Sequence, residues 1–282
     1  MDCIDTHIHI WNFDRAAYRW LDGNTTILNR SYLIEELKPQ LVAAGVTEGV
    51  LVQAANTIEE TRYMVEVAEQ TSCLKGVVGW LPLTRPEEVA MILSGGYATH
   101  PLFKGVRHLI HNEPDPEWLL QSTVIESLKL LADAQIPYDV VGVLPAHLET
   151  VLKLLDKVTG LQLVLDHLNQ PPIKQKELFG QWGELIAEVA QHPTVYAKVS
   201  GLGTTTGNGA DWGVDDIKPY VAFTLEKFGN SRCFCGGDWP VSLLAGTYEH
   251  AWKTYQQTIA SLLNEQEVEK VLYHNAKQFY QL

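Results

Sequence analysis

The sequence predicts an α/β chain in which strand-then-helix units follow one another and close into a single (β/α)8 barrel. Three observations carry that expectation. Short apolar runs rich in Val and Ile alternate with longer segments of helical period. No G-x-G-x-x-G follows any strand, which argues against an open dinucleotide-binding sheet. Unusual polar residues recur at the C-terminal ends of strands along the whole chain, where barrel enzymes carry their reactive groups, rather than at one switch point. The chain has 282 residues and no Pro/Ser-rich linker or internal repeat, so one barrel domain over 1–282 is expected.

The first strand lies within Asp2–Ile10. Side chains alternate with a period of two, which predicts Cys3, Asp5, His7 and His9 on one face and Ile4, Ile8 and Ile10 on the other, packed under helices. Two imidazoles two apart at a strand end converge on one point. Packing gives no reason for that; a metal or a polarised carbonyl does.

The remaining elements follow in order. A helix near Tyr32–Ala44 precedes the strand Val46–Gln53, and one near Glu59–Gln70 precedes Leu74–Trp80. A helix near Pro86–Leu93 leads to Lys104–Leu109. The stripe Ile125, Leu128, Leu131, Ala132 marks a helix before the strand Ile136–Gly142. Leu148, Val151, Leu152 and Leu155 share a helical face before Leu161–His167. A helix near Trp182–Ala190 precedes Thr194–Ser200, and one near Val221–Phe228 precedes Arg232–Asp238. Between them Gly201–Gly209 reads as a long mobile loop. Helices around Tyr248–Leu262 and Gln266–Tyr280 end the chain.

Composition bounds the partners. Hydrophobic residues make up 46% and charged residues 20%, enough apolar content for a large core. A net charge of -13 argues against nucleic acid, which favours a basic face. The four cysteines, Cys3, Cys73, Cys233 and Cys235, include one C-x-C but no second pair for a zinc knuckle, so buried reduced thiols are expected. Met1-Asp2-Cys3 opens no signal peptide, and no apolar run is long enough for a bilayer. The expectation is a cytoplasmic protein with no membrane partner, and a homo-oligomer is compatible with the sequence.

Four strand ends carry candidates for chemistry: His7 and His9 on the first, Arg107 on the fourth, His167 on the sixth and Asp238 on the eighth. Singly, each has a structural explanation; together, at equivalent ends of one barrel, they predict a site. Three imidazoles and a carboxylate suit one divalent cation such as Zn²⁺. Such an ion lowers the pKa of a bound water to about 7 and polarises a carbonyl. A carboxylate beside it accepts the proton of the attacking water and returns it to a leaving alkoxide. Asp238 is assigned that role, and Arg107 the oxyanion or a substrate oxygen. Trp11, Trp20 and Trp239 flank strand ends, where an indole face can stack on a sugar-derived ring or serve packing.

The pieces Ile4–Trp11, Gly105-Val106-Arg107-His108, Val164–Leu168 and Gly237–Val241 resemble the amidohydrolase superfamily, closest to its sugar-lactone hydrolases. Glu113–Leu119 and Lys198–Leu202 extend the resemblance over essentially the whole chain. It implies a distorted barrel of the TIM type with the site at its C-terminal mouth. It implies His7, His9, His167 and Asp238 at the metal-and-base positions and Arg107 at the substrate. No strand-four lysine of the metal-bridging kind is present, so one metal at most is implied, and some members of the branch work without one. Gly236-Gly237-Asp238 stands where relatives often have Gly-Ser-Asp, and Thr204–Asn208 lacks an acidic residue often found there.

The sequence therefore predicts a hydrolase of carbohydrate metabolism that opens a sugar-acid lactone, with Asp238 as general base and His167, Arg107 and Trp239 contributing to catalysis and binding. A metal-dependent decarboxylase on the same barrel is the second expectation. A non-catalytic binding barrel is the third, and the intact set of four candidate ligands argues against it.

Overall fold

The computed structural model describes residues 1–282. Eight strands pair in sequence order: β1 (Ile4–Ile8), β2 (Glu48–Val52), β3 (Leu74–Gly79), β4 (Phe103–His108), β5 (Tyr138–Val140), β6 (Leu163–Leu165), β7 (Val195–Val199) and β8 (Cys233–Cys235). Each of the first seven is parallel to the next. Parallel neighbours need a crossover, and helices supply it: α1 (Ile34–Ala44), α2 (Ile58–Glu69), α3 (Pro86–Ser94), α4 (Ser122–Asp133), α5 (Pro145–Leu155), α6 (Gly180–Val189), the short α7 (Leu202–Thr206) and α8 (Val214–Phe228). After β8 come α9 (Tyr248–Ala260), α10 (Glu265–Glu269) and α11 (Asn275–Tyr280). The expected (β/α)8 barrel is the observed fold.

The seam between β8 and β1 lies just beyond the end of β8. Ile8 bridges Trp239, the His9 N–H donates to the Trp239 carbonyl at 2.7 Å, and the Asp238 N–H donates to the His7 carbonyl at 2.8 Å. Closing the barrel there is what lays Asp238 beside the two strand-one histidines.

One expectation about β1 is corrected. The strand pairs β2 through Ile4–Glu48 and Asp5–Gly49, then shifts before Ile8–Leu51, so β1 carries one extra residue. That β-bulge inverts the parity of the side chains that follow. Cys3 and Asp5 turn outward under α9, where Gln256 approaches Cys3 and Tyr248 donates to Asp5 Oδ2 at 2.8 Å. Ile4 joins Val50, Val52, Val78, Val164 and Phe234 inside the barrel, capped from below by Phe279 and Tyr280 of α11. His7 and His9 turn inward. Asp5 fixes the bulge, its Oδ1 accepting the His7 N–H at 2.9 Å and the Gly237 N–H at 2.7 Å. A Cβ on Gly237 would stand 2.4 Å from Asp5 Oδ2 and 2.5 Å from a Tyr248 ring carbon, so this pairing leaves no room for a side chain at position 237.

Three further elements differ from expectation. Helix α8 starts at Val214, seven residues before the expected Val221, and runs through Pro219, with the Asp216 carboxylate accepting the Gly213 N–H at its start. The stretch read as a loop holds α7, where Thr204, Thr205 and Thr206 each return a hydroxyl hydrogen bond of 2.8 Å to the carbonyl three residues back. The last expected helix is interrupted by a π-turn over Lys270–His274. All four cysteines are free thiols, with Cys3, Cys233 and Cys235 buried. No helix is long and apolar enough to cross a membrane.

Candidate active site

Beneath the mouth of the barrel, charges are buried in a layer that the sequence reading did not assemble. Lys198 on β7 is fully buried, and its Nζ donates to Asp139 Oδ2 of β5 at 2.7 Å and approaches Asp166 Oδ1 at 2.8 Å. Asp166 Oδ2 accepts from Arg107 Nη1 at 3.0 Å, and Tyr280 of α11 donates to Asp139 Oδ2 at 2.7 Å. Burial alone would raise the Asp166 carboxyl, yet Lys198, His7 and Arg107 hold it well below the usual carboxylate range. Burial pushes Asp139 up to about 6 against the pull of Lys198. Both acids are thus largely ionised near neutral pH, facing two fixed cations.

Above this layer stand the expected residues. His7 Nε2 lies 3.2 Å from His9 Nε2 and 3.8 Å from Asp238 Oδ1. His9 Nε2 lies 3.4 Å and His167 Nε2 4.0 Å from the same oxygen. Burial lowers the pKa of His9 and pushes that of His7 well below the ordinary imidazole value, so both rings are neutral. The tautomer of His9 follows from its partner. A carbonyl can only accept, and Val52 O lies 2.7 Å from His9 Nδ1, so Nδ1 carries the proton and Nε2 presents its lone pair. His167 Nδ1 meets Ser200 Oγ at 2.8 Å, which likewise leaves Nε2 facing Asp238. A Cβ on Gly201 would stand 2.5 Å from His167 Nδ1 and 2.9 Å from Asp238 Oδ2; glycine there lets the two approach.

The backbone around the site is unusual. His167, Leu168, Asn169 and Gln170 all have left-handed φ, from 50° to 54°, and Asp238 has φ 57°. Non-glycine residues take this conformation rarely and at some cost, and such positions cluster where geometry serves function.

His7, His9, His167 and Asp238 are therefore brought together, and Arg107 joins them at 3.2 Å from His7 Nε2. Its guanidinium is largely engaged: Nε with Gln53 Oε1 at 3.3 Å, Nη1 with Asp166 and His7, and Nη2 with the Gln53 carbonyl. One Nη2 N–H remains. Trp239, expected at the substrate, is instead 1% exposed, packed edge-on against Tyr32 with ring centroids 5.4 Å apart. Its indole is held in the wall because the backbone of Trp239 closes the barrel seam. Trp11 is buried as well, and Trp20 reaches the cavity.

The cavity over these groups has a volume of about 190 Å³. His9, Arg107, His167 and Asp238 form its base, and Trp20, Leu109, His111, Asn112, Gln170 and Thr204 stand among its walls. Missed by the sequence reading were Asp139, Gln53 and His111, and the roles of Asp166 and Lys198. A signal existed for Lys198, a cation in the middle of the otherwise apolar strand Val195–Val199, where charge is tolerated only when paired.

The donor set fits a divalent metal. His7, His9 and Asp238 form one group of converging ligand atoms, and His7, Asp166 and His167 a second. Separations of 3.2, 3.4 and 3.8 Å in the first group match ligands sharing one centre at the roughly 2.0–2.2 Å bond lengths typical of zinc. The carbonyl that fixes the His9 tautomer is the outer support such a ligand needs.

Comparison with known proteins agrees with this picture. A profile of the amidohydrolase family matches residues 4–282. The chain is 32% identical to an L-fucono-1,5-lactonase of Burkholderia ambifaria, covering 99% of this chain and 95% of that one. It is 28% identical to an L-fucono-1,5-lactonase of Burkholderia multivorans, covering 94% and 90%. A crystal structure of an amidohydrolase from Burkholderia multivorans with bound zinc superposes over 100% of both chains, at 28% identity and a TM-score of 0.89.

Proposed function

We propose that this chain, which belongs to the amidohydrolase family, hydrolyses the lactone of a sugar acid. The observation that carries the reading is the convergence of three imidazole Nε2 atoms and Asp238 Oδ1 at the base of a cavity sized for one small ring. The activity in the names of the two lactonase relatives supports the same substrate class.

In this reading a water held over Asp238 attacks the ring carbonyl carbon, and Asp238 takes its proton. The C=O electrons move onto oxygen. When the tetrahedral species collapses, the ring C–O bond breaks and the leaving alkoxide receives the proton from Asp238, giving the open hydroxy acid. The Asp238 amide, donating to the His7 carbonyl at 2.8 Å, holds the carboxylate at this position. His167, fixed by Ser200, stands beside Asp238 and limits how it turns. Arg107 supplies its free Nη2 N–H and its positive charge to the developing oxyanion. A divalent ion such as Zn²⁺ on His7, His9 and Asp238, with His167 alongside, would add Lewis-acid polarisation of the carbonyl.

The test is a panel of aldonolactones followed by acid release with a pH indicator, paired with elemental analysis of the protein. Turnover of a hexono-1,5-lactone is expected. No acid release from any sugar lactone would remove the reading, and carbon dioxide release from an unsaturated carboxylate would put a decarboxylase in its place.

A further inference from the structure

The chemistry above leaves unused a polar cluster at the end of β4. His108 stacks on Trp118 with ring centroids 3.9 Å apart and 15° between planes. Its Nδ1 accepts from Trp80 Nε1 at 2.9 Å. An indole N–H can only donate, so Nδ1 holds the lone pair and the Nε2 proton goes to Glu113 Oε1 at 2.7 Å. Burial keeps His108 below the ordinary imidazole pKa, consistent with this neutral, doubly bonded form. Asn56 adds a third tie, its Oδ1 accepting the Leu109 N–H at 3.0 Å. The segment from Leu109 to Asn112 is thus pinned at both ends, by His108 on one side and Glu113 on the other. What it presents to the cavity is Leu109, His111 and Asn112.

His111 is the informative member. Its ring lines the cavity that holds His9, Arg107, His167 and Asp238, and its Nδ1 is sealed from solvent. That leaves Nε2 as the nitrogen available to a ligand in the cavity. Burial, with Arg107 and His167 nearby, pushes its pKa down to about 4, so the ring is uncharged in the neutral range. An uncharged imidazole on a rigid wall can accept from or donate to a hydroxyl. The other polar walls are similar in character: Asn112, Gln170 and Thr204 are neutral hydrogen-bonding groups. Thr204 already donates its proton to the Gly201 carbonyl, so it offers only lone pairs to a ligand.

We propose that His111 is a specificity-determining residue that hydrogen-bonds a ring hydroxyl of the lactone through Nε2, held in place by the clamp of Trp80, His108 and Glu113. The inference rests on the lactone-hydrolase reading and adds to it the residue that distinguishes a polyhydroxy lactone from an unadorned one. A site built to bond a hydroxyl disfavours analogues that lack it, because a buried polar group is then left without a partner.

The test compares L-fucono-1,5-lactone with δ-valerolactone, which has the same ring size and no hydroxyls, for the parent protein, His111→Phe and His111→Gln. The quantity read is the ratio of kcat/KM for the two lactones. The expected result is a 10- to 100-fold fall of that ratio in His111→Phe, with His111→Gln, which keeps a hydrogen-bonding group, within about tenfold of the parent. A ratio unmoved by His111→Phe overturns the assignment, as does an equal fall in both variants. Failure of the parent to open L-fucono-1,5-lactone and every other sugar lactone of the panel overturns instead the hydrolase reading beneath it.

Discussion

Replacing Lys198 by Met tests whether the buried charge layer holds up the site. Its ammonium lies 2.7 Å from Asp139 and 2.8 Å from Asp166, with all three side chains inaccessible to solvent. Methionine conserves the length of the stem and removes only the charge, leaving two carboxylates with Arg107 as the one remaining cation. Breaking a buried ion pair from one side costs about 3–5 kcal/mol, because the partner charge stays behind in a medium that solvates it poorly. At roughly 2.1 cal/mol/K of unfolding entropy per residue, a chain of 282 residues loses about 1.7 °C of Tm per kcal/mol. The variant should therefore melt about 5–9 °C below the parent in calorimetry at pH 7. A Tm within 2 °C of the parent would refute the reasoning, since it would mean that the layer is solvated or already neutral.

Two further outcomes follow from other parts of the fold. Burial raises the Glu60 carboxyl to about 8 against hydrogen bonds from the Ala54 and Ala55 amides. A carboxyl with a raised folded pKa holds its proton more tightly when folded, so stability is full below the unfolded pKa near 4.5 and falls as pH rises through about 8. Chemical denaturation at pH 5.5 and 8.5 should show the parent less stable at the higher pH, and Glu60→Gln should flatten the difference; an equally steep dependence in the variant would exclude Glu60 as its source. Gly237→Ala puts a methyl group 2.4 Å from Asp5 Oδ2, which should lower stability by about 1–3 kcal/mol and disturb the bulge that aims His7; unchanged stability and activity would show that Asp5 and Tyr248 yield easily.

The sequence carried much of the architecture and the four converging residues, for a physical reason. Parallel strands buried on both faces must be apolar runs, so a His or Asp at a strand end stands out against them. What was not legible depends on register and long-range pairing. The bulge at Asp5 adds a single residue to β1, and no local pattern marks it because Asp5 acts through Gly237 and Tyr248, more than two hundred positions away. Trp239 flanks a strand end, where stacking on a sugar ring and packing read equally well; only the seam shows that its backbone closes the barrel while its indole packs against Tyr32. The partners of Lys198 lie on β5 and just beyond the end of β6, and its pairing appears only when the barrel closes. The sequence places the start of α8 near Val221, yet the helix begins at Val214 and runs through Pro219.

The central claim is that Asp238 moves the proton of the attacking water. Asp238→Asn keeps the size of the side chain and removes its basicity. Steady-state kinetics on the best-hydrolysed lactone, with zinc content measured on the same samples, tests this most directly. The account predicts a loss of about 10²–10⁴ in kcat at matched metal content. A kcat within tenfold of the parent would contradict it and move the base elsewhere in the cavity.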